Sequence, residues 1–114
     1  MTKYEIIFLE WAKDFLDKLD KKTRKKVLYN IWRSRELTDP ELFKKLDGEI
    51  WEFRTKYAKS QIRLLAFWDK TNNKQTLVIA TNGFIKKTQK TPKTEIEKAE
   101  NIRQDYFKEK EDKK

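Results

Sequence analysis

The spacing of apolar residues changes along the first third of the chain. Lys3 to Phe8 is a short β-rich run carrying Tyr4, Ile6, Ile7 and Phe8, which predicts a first strand. From Glu10 the period lengthens: Trp11, Phe15 and Leu19, with Ala12 and Leu16, fall on one helical stripe. A polar stretch from Asp20 to Lys26 separates this from a second stripe of Val27, Leu28, Ile31 and Trp32. The two stripes predict a helical hairpin turning around Asp20–Thr23. Asp39-Pro40 ends the second helical region, because the residue before a proline is pushed out of the α conformation, and opens a short connection through Leu42, Phe43 and Leu46.

Asp47-Gly48 is a turn signal, and three strand-like runs follow it: Glu49–Arg54, Gln61–Asp69 and Thr76–Phe84. The segment from Asp69 to Lys74 reads as a hairpin loop. Alternation puts Trp51 and Phe53 on one face of the first run and Ile50, Glu52 and Arg54 on the other, while Arg63, Leu65 and Phe67 share a face of the second. The aromatic residues at these spacings are read as core. Arg54 and Arg63 have few acids nearby in sequence and no obvious structural partner, although Glu52, two residues from Arg54, suits an ion pair with it. Thr91-Pro92 opens a last helix whose inward stripe is Ile96, Ala99, Ile102 and Tyr106. The element order β-α-α-β-β-β-α defines an α+β fold, an antiparallel sheet packed by an N-terminal helical hairpin and a C-terminal helix. A single domain over residues 1–108 is expected, with 109–114 as a frayed charged tail.

Composition alters this picture in two ways. A chain of 114 residues with 41% charged side chains and a mean hydropathy of −1.01 would suggest disorder, but 13% aromatic residues, four Trp among them, supply a core. There is no Cys and no His, so disulfides, thiolate metal sites and the commonest general acid/base are all excluded. No apolar run approaches the roughly 20 residues that span a bilayer, and the first residues do not read as a signal peptide, so the cytoplasm is the expected location.

The formal charge is +9, and its distribution is informative. From Phe53 to Thr94 there are ten bases (Arg54, Lys56, Lys59, Arg63, Lys70, Lys74, Lys86, Lys87, Lys90 and Lys93) and one acid, Asp69. The rest of the chain carries 18 bases and 18 acids and is neutral. Lysines kept for solubility are normally interspersed with acids, as they are elsewhere in this chain. Gathered on adjacent strands, the bases point to a polyanion as partner. A membrane surface fits less well, because no amphipathic helix sets the bases opposite an apolar face.

Three stretches carry a resemblance: Leu46-Asp-Gly-Glu-Ile-Trp-Glu-Phe-Arg54, then Arg63-Leu-Leu-Ala-Phe67, then Gly83-Phe-Ile-Lys-Lys-Thr-Gln-Lys-Thr-Pro92. Together they resemble the RelE superfamily of bacterial toxins, in its HigB-like, phage-derived branch, over most of the chain from Leu46 to Tyr106. The resemblance implies a curved antiparallel sheet of RelE/ParE-like fold and a ribosome-dependent endoribonuclease acting on mRNA in the ribosomal A site. It also implies a neutralising helix-turn-helix antitoxin of the HigA kind, with neither a metal nor another cofactor. Carried over by position, Arg54 and Arg63 match the strand arginines that contact the scissile phosphate. Lys56 and Tyr57 match the basic or aromatic positions after the first of them, and Lys86, Lys87 and Lys90 match the run closing the basic cleft. Where relatives often carry His before Gly-Phe, this chain has Asn82.

The chemistry available to these residues is metal-free cleavage by the substrate's own 2′-OH. Arg54 and Arg63 are assigned to the phosphate, since a guanidinium holds two phosphate oxygens and stays charged. Lys56, Lys87, Lys90 and Tyr57 are the candidates for the proton transfers, because crowded cations lower a lysine's pKa. Lys59, Lys86, Thr88 and Lys93 are expected to hold RNA. A metal-nuclease reading of Asp47, Glu49 and Glu52 fails on alternation, which points Glu49 and Glu52 to opposite faces with no His to supplement them. The competing functions are a ParE-like inhibitor of gyrase and a non-catalytic nucleic-acid-binding or regulatory protein of the same fold.

Overall fold

A computed structural model describes residues 4–71, 77–87 and 90–112. Within them the order is β1 (Glu5–Phe8), α1 (Glu10–Lys18), α2 (Lys21–Glu36), β2 (Phe43–Asp47), β3 (Ile50–Tyr57), β4 (Ser60–Asp69), β5 (Leu77–Lys86) and α3 (Lys93–Asp112). The strands form one sheet in the order β1-β5-β4-β3-β2. The expected α+β fold is therefore present, and β2 to β5 pair antiparallel as expected. Two features were not anticipated. β1 lies parallel to β5, which no hairpin forbids, because a long crossover separates the two strands. Phe43 to Asp47 forms an edge strand rather than a connection; Lys44 and Lys45 interrupt its apolar pattern, and exposed lysines suit an edge.

Cross-strand partners share a face, so the register sorts the side chains. Phe53, Ile62, Leu64, Ala66, Val78 and Ala80 join Ala12, Leu16, Val27 and Ile31 of α1 and α2 in one core. Ile50, Leu65, Phe67 and Ile79 join Ala99 of α3, with Ile96 and Tyr106 packed alongside, in a second core on the opposite face. A β-bulge lets β5 serve both: Leu64 pairs with Gly83 and Ala66 with Ala80, so Thr81 and Asn82 together oppose Leu65. Thr81 donates to the Leu65 carbonyl at 3.1 Å, and Asn82 Nδ2 donates to Glu95 Oε1 at 3.1 Å. At Gly83 the Phe15 ring approaches so closely that a Cβ would lie 2.2 Å from its Cδ2, which explains the glycine.

The helical hairpin turns where expected. Asp20 caps α2 by accepting from the Thr23 backbone N–H. Its buried stripe is displaced, however. Val27, Asn30, Ile31 and Ser34 face the sheet, whereas Leu28 is 40% and Trp32 55% exposed. At about 100° per residue this is a rotation of roughly 80° from the expected stripe. It is stabilised by partners the helix sequence does not contain: Asn30 donates to Thr55 Oγ1 at 3.2 Å, and Ser34 is hydrogen-bonded to the Tyr4 hydroxyl. On α1, Trp11 is likewise exposed instead of core.

The β3–β4 hairpin turns in two residues, Ala58 (φ 50°) and Lys59 (φ 68°), between the paired Tyr57 and Ser60. Both central residues are left-handed, the geometry that Asn-Gly normally supplies. At the other end, α3 continues to Asp112, through the stretch expected to fray. The reason is Asp69, the last residue of β4 and buried, which accepts from Lys110 Nζ at 2.6 Å, Tyr106 Oη at 2.5 Å and Thr71 Oγ1 at 2.7 Å. Burial by itself would raise the Asp69 carboxyl, but the hydrogen bonds from Lys110, Tyr106 and Thr71 overcome it and hold the group well below the usual carboxylate range. Thr88, Thr76 and residues 72–74 of the expected loop lie outside the described residues.

Two outcomes follow. Asp69→Asn should destabilise the fold by about 2 kcal/mol at neutral pH, since it leaves the ammonium of Lys110 unpaired. A carboxyl depressed in the fold stabilises above its unfolded pKa of about 3.9 and loses that contribution as the pH falls further. The gap between wild type and variant in urea melts should therefore close below about pH 4. Ala58→Asn combined with Lys59→Gly should raise the melting temperature, by about 1 kcal/mol of relieved backbone strain or somewhat more.

Candidate functional site

The site begins with a carboxylate in an unusual place. Alternation along β3 puts Glu52, Arg54 and Lys56 on the α3 side of the sheet, and the pairing Arg54–Arg63 and Lys56–Gln61 brings β4 side chains beside them. Glu52 is buried to 1% exposure and Arg63 to 0%. Burying isolated charges is expensive, so they must compensate each other. Glu52 Oε1 lies 3.4 Å from Arg63 Nε and 3.6 Å from Arg54 Nε, and its Oε2 accepts from Thr91 Oγ1 at 2.7 Å. The ion pair expected between Glu52 and Arg54 is present, and Arg63, for which no partner was expected, shares the same carboxylate.

The compensation is incomplete in an informative way. Arg63 places Nη1 on the Ile62 carbonyl at 3.2 Å and Nη2 on Gln61 Oε1 at 2.9 Å. The Nε–H groups of Arg54 and Arg63 are buried without a hydrogen-bond acceptor, because their ion pairs with Glu52 lie outside hydrogen-bond geometry. Two cations against one buried anion leave a net positive charge, and Arg54 is the member that reaches solvent, with 19% of its side chain exposed. Burial lowers the Arg63 pKa and Glu52 counters this, while Arg54 adds to the lowering.

Lys86 completes the group. It pairs with Gln61 at the end of β5, on the same face as Arg63 and Phe84. Its pKa is lowered, first by desolvation and then by Arg63, Arg54 and Lys44 against the opposing pull of Glu52. Lys56 is exposed on this face. Tyr57 is not brought to it; its ring packs against the helical-hairpin core on the other side of the sheet. Lys59 occupies the left-handed hairpin turn, Lys87 and Lys90 are exposed in the segment after β5, and Lys93 is the exposed first residue of α3. Thr88 lies outside the described residues.

Lys86 is expected to hold RNA; the cross-strand and facing cations that lower its pKa are invisible in the sequence without the register. Thr91, expected to open the last helix, also fastens that run onto Glu52. Asn82, at the position where relatives often carry His, is a buried brace between β5 and the first turn of α3. Among the described residues no group of three or more His, Cys, Asp or Glu is arranged to hold a metal ion, and no helix is long and apolar enough to cross a membrane.

The five-stranded sheet flanked by three helices is compatible with a RelE-like α+β fold. The family described as "Phage derived protein Gp49-like (DUF891)" matches residues 14–104, from α1 into α3, and the chain belongs to that family, which is toxin-like and related to RelE and HigB. No curated protein and no solved structure matches the chain.

Replacing Glu52 tests the cluster directly. Glu52→Gln should cost about 3 kcal/mol in urea unfolding, the scale of leaving buried charges uncompensated. Thr91→Val, which removes one neutral donor from the carboxylate, should cost about 1 kcal/mol.

Proposed function

We propose that this protein is the toxin of a toxin–antitoxin pair, a metal-independent endoribonuclease that cuts mRNA in the ribosomal A site and is restrained by a helix-turn-helix antitoxin of the HigA kind. The observation that carries this reading is the Arg54–Glu52–Arg63 cluster, with its unpaired Nε–H groups, beside a lysine of lowered pKa. The family membership supports a toxin, and the site supports its chemistry.

In this mechanism the 2′-OH of the nucleotide before the cut attacks the adjacent phosphorus. The O2′–P bond forms, the P–O5′ bond breaks, and the products are a 2′,3′-cyclic phosphate and a free 5′-OH. Three tasks fall to the protein: taking the 2′ proton, neutralising charge on the phosphoryl oxygens, and giving a proton to the leaving O5′. Arg54, the guanidinium of the pair that reaches solvent, takes the phosphate. Arg63, buried behind it, acts by field and position: it keeps Glu52 from neutralising Arg54 completely and depresses the pKa of Lys86. Lys86 joins Lys56, Lys87 and Lys90 as a candidate base or acid, because a depressed pKa raises its neutral fraction near neutral pH. Tyr57 has no place in this scheme without a change of face.

The decisive measurement is mapping of mRNA 5′ ends after induction in cells. Wild type should give cuts phased to codons. Arg54→Ala and Lys86→Ala should each reduce them about 100-fold or more, whereas Tyr57→Phe should leave them intact. Supercoiling defects with unbroken mRNA would point to gyrase as the target and sink the proposal. Loss of cutting in Lys87→Ala with full activity in Lys86→Ala would move the proton transfer from β5 to the segment after it.

A further inference from the structure

The chain-wide charge count conceals a second basic element. Between Lys21 and Glu36 the sequence holds seven bases and one acid, cancelled in the count by acids in other segments of the chain. Two of these bases, Lys26 and Arg33 of α2, line a cavity of about 250 Å³ together with Arg54, Lys56 and Arg63, against a single acid, Glu41. Glu41 is a weak counterion, 4.0 Å from Arg54 Nη1 with 78% of its side chain exposed.

The cavity exists because β3 outruns β2. Their pairing ends at Phe43–Phe53, with one further bond from Arg54 N–H to the Leu42 carbonyl at 2.8 Å. Alternation then directs the Lys56 N–H toward the same open edge, where α2 lies alongside, held by the Asn30–Thr55 hydrogen bond. Tyr29 braces the two α2 cations: its ring stacks on Trp32, with centroids 6.4 Å apart, and Lys26 Nζ and the Arg33 guanidinium lie 5.4 Å and 5.8 Å from its centroid. Behind the cavity, the buried Nε–H groups of Arg54 and Arg63 have no acceptor.

We propose that this cavity is a second phosphate site for RNA, in which Lys26 and Arg33 hold the backbone phosphate next to the one on Arg54. A forked guanidinium and a lysine on α2, facing Arg54 and Lys56, suit the phosphodiester backbone of a single strand. The site adjoins the Lys86 face through Arg54, so one strand passing over the open edge of β3 meets both. The inference rests on RNA being the substrate, but not on its being cut.

The test is fluorescence anisotropy of a short labelled single-stranded RNA titrated with the full chain across a range of salt concentrations. Lys26→Ala/Arg33→Ala should bind about tenfold more weakly at low salt, and the slope of log affinity against log salt should flatten by roughly 0.7, the value for one phosphate contact on a single strand. Lys21→Ala/Lys22→Ala removes the same formal charge from exposed positions of the same helix and should stay within about twofold of wild type. Thermal melting checks that both variants fold. Equal weakening in the two variants, unchanged affinity in Lys26→Ala/Arg33→Ala, or no binding by wild type overturns the site. The nuclease reading is scored separately, by codon-phased cuts in cells. Weakened RNA binding in Lys26→Ala/Arg33→Ala without such cuts in wild type keeps the site and removes the nuclease; cuts together with unchanged affinity do the reverse.

Discussion

Glu52 is the residue on which the rest of the site depends. Two guanidiniums and a hydroxyl converge on a carboxylate with 1% exposure, and those partners come from three separate parts of the chain. Arg54 sits on the same strand, Arg63 across the β3–β4 hairpin, and Thr91 in the run before α3. One buried charge thus fixes the register of the hairpin and the position of that run together. Because one anion faces two cations, it does so without extinguishing their positive field. A fully neutralised pair would be stable and inert toward phosphate; an unpaired Arg63 could not be buried at all.

Much of this was legible in the strands. Period-two alternation from Ile50 to Arg54 and from Arg63 to Phe67 separated the two faces correctly, because each face is covered by its own helices and a slip of one residue would invert them. The link between Glu52 and Arg54 was visible for the same reason. What remained hidden depended on partners distant in sequence. The buried face of α2 includes Asn30 and Ser34, polar residues that enter a core only because Thr55 and Tyr4 receive them, so a rule seeking apolar stripes rotates the helix toward Leu28 and Trp32. The tight turn at Ala58-Lys59 carries none of the residues that favour positive φ, and the clamp on Lys110 requires knowing that β4 ends beside α3.

Charge shows the same division between chain and fold. The window from Phe53 to Thr94 contains Arg54, Lys56, Arg63 and Lys86, which do share one face of the sheet, yet it also contains Lys59 at a hairpin tip and Lys70 beyond the end of β4. Conversely, Lys26 and Arg33 fall in a part of the chain that sums to zero and still stand beside Arg54. A count along the sequence averages over residues that need not meet. The field felt by a ligand averages over distance, with a screening length of about 8 to 10 Å at ordinary salt.

The unpaired end of β3 is where these strands of argument join. A five-residue β2 against an eight-residue β3 leaves an edge that a natural sheet has to protect. Here the protection is electrostatic: Arg54 and Lys56 stand on that edge, with Lys26 and Arg33 facing them from α2. Cations so placed repel a second β-strand bearing its own lysines. The short β2 leaves open the groove beside Arg54. Extending β2 by two or three residues would cover the edge more conventionally and close the cavity, which is a physical reason for the strand to stop at the Leu42 carbonyl.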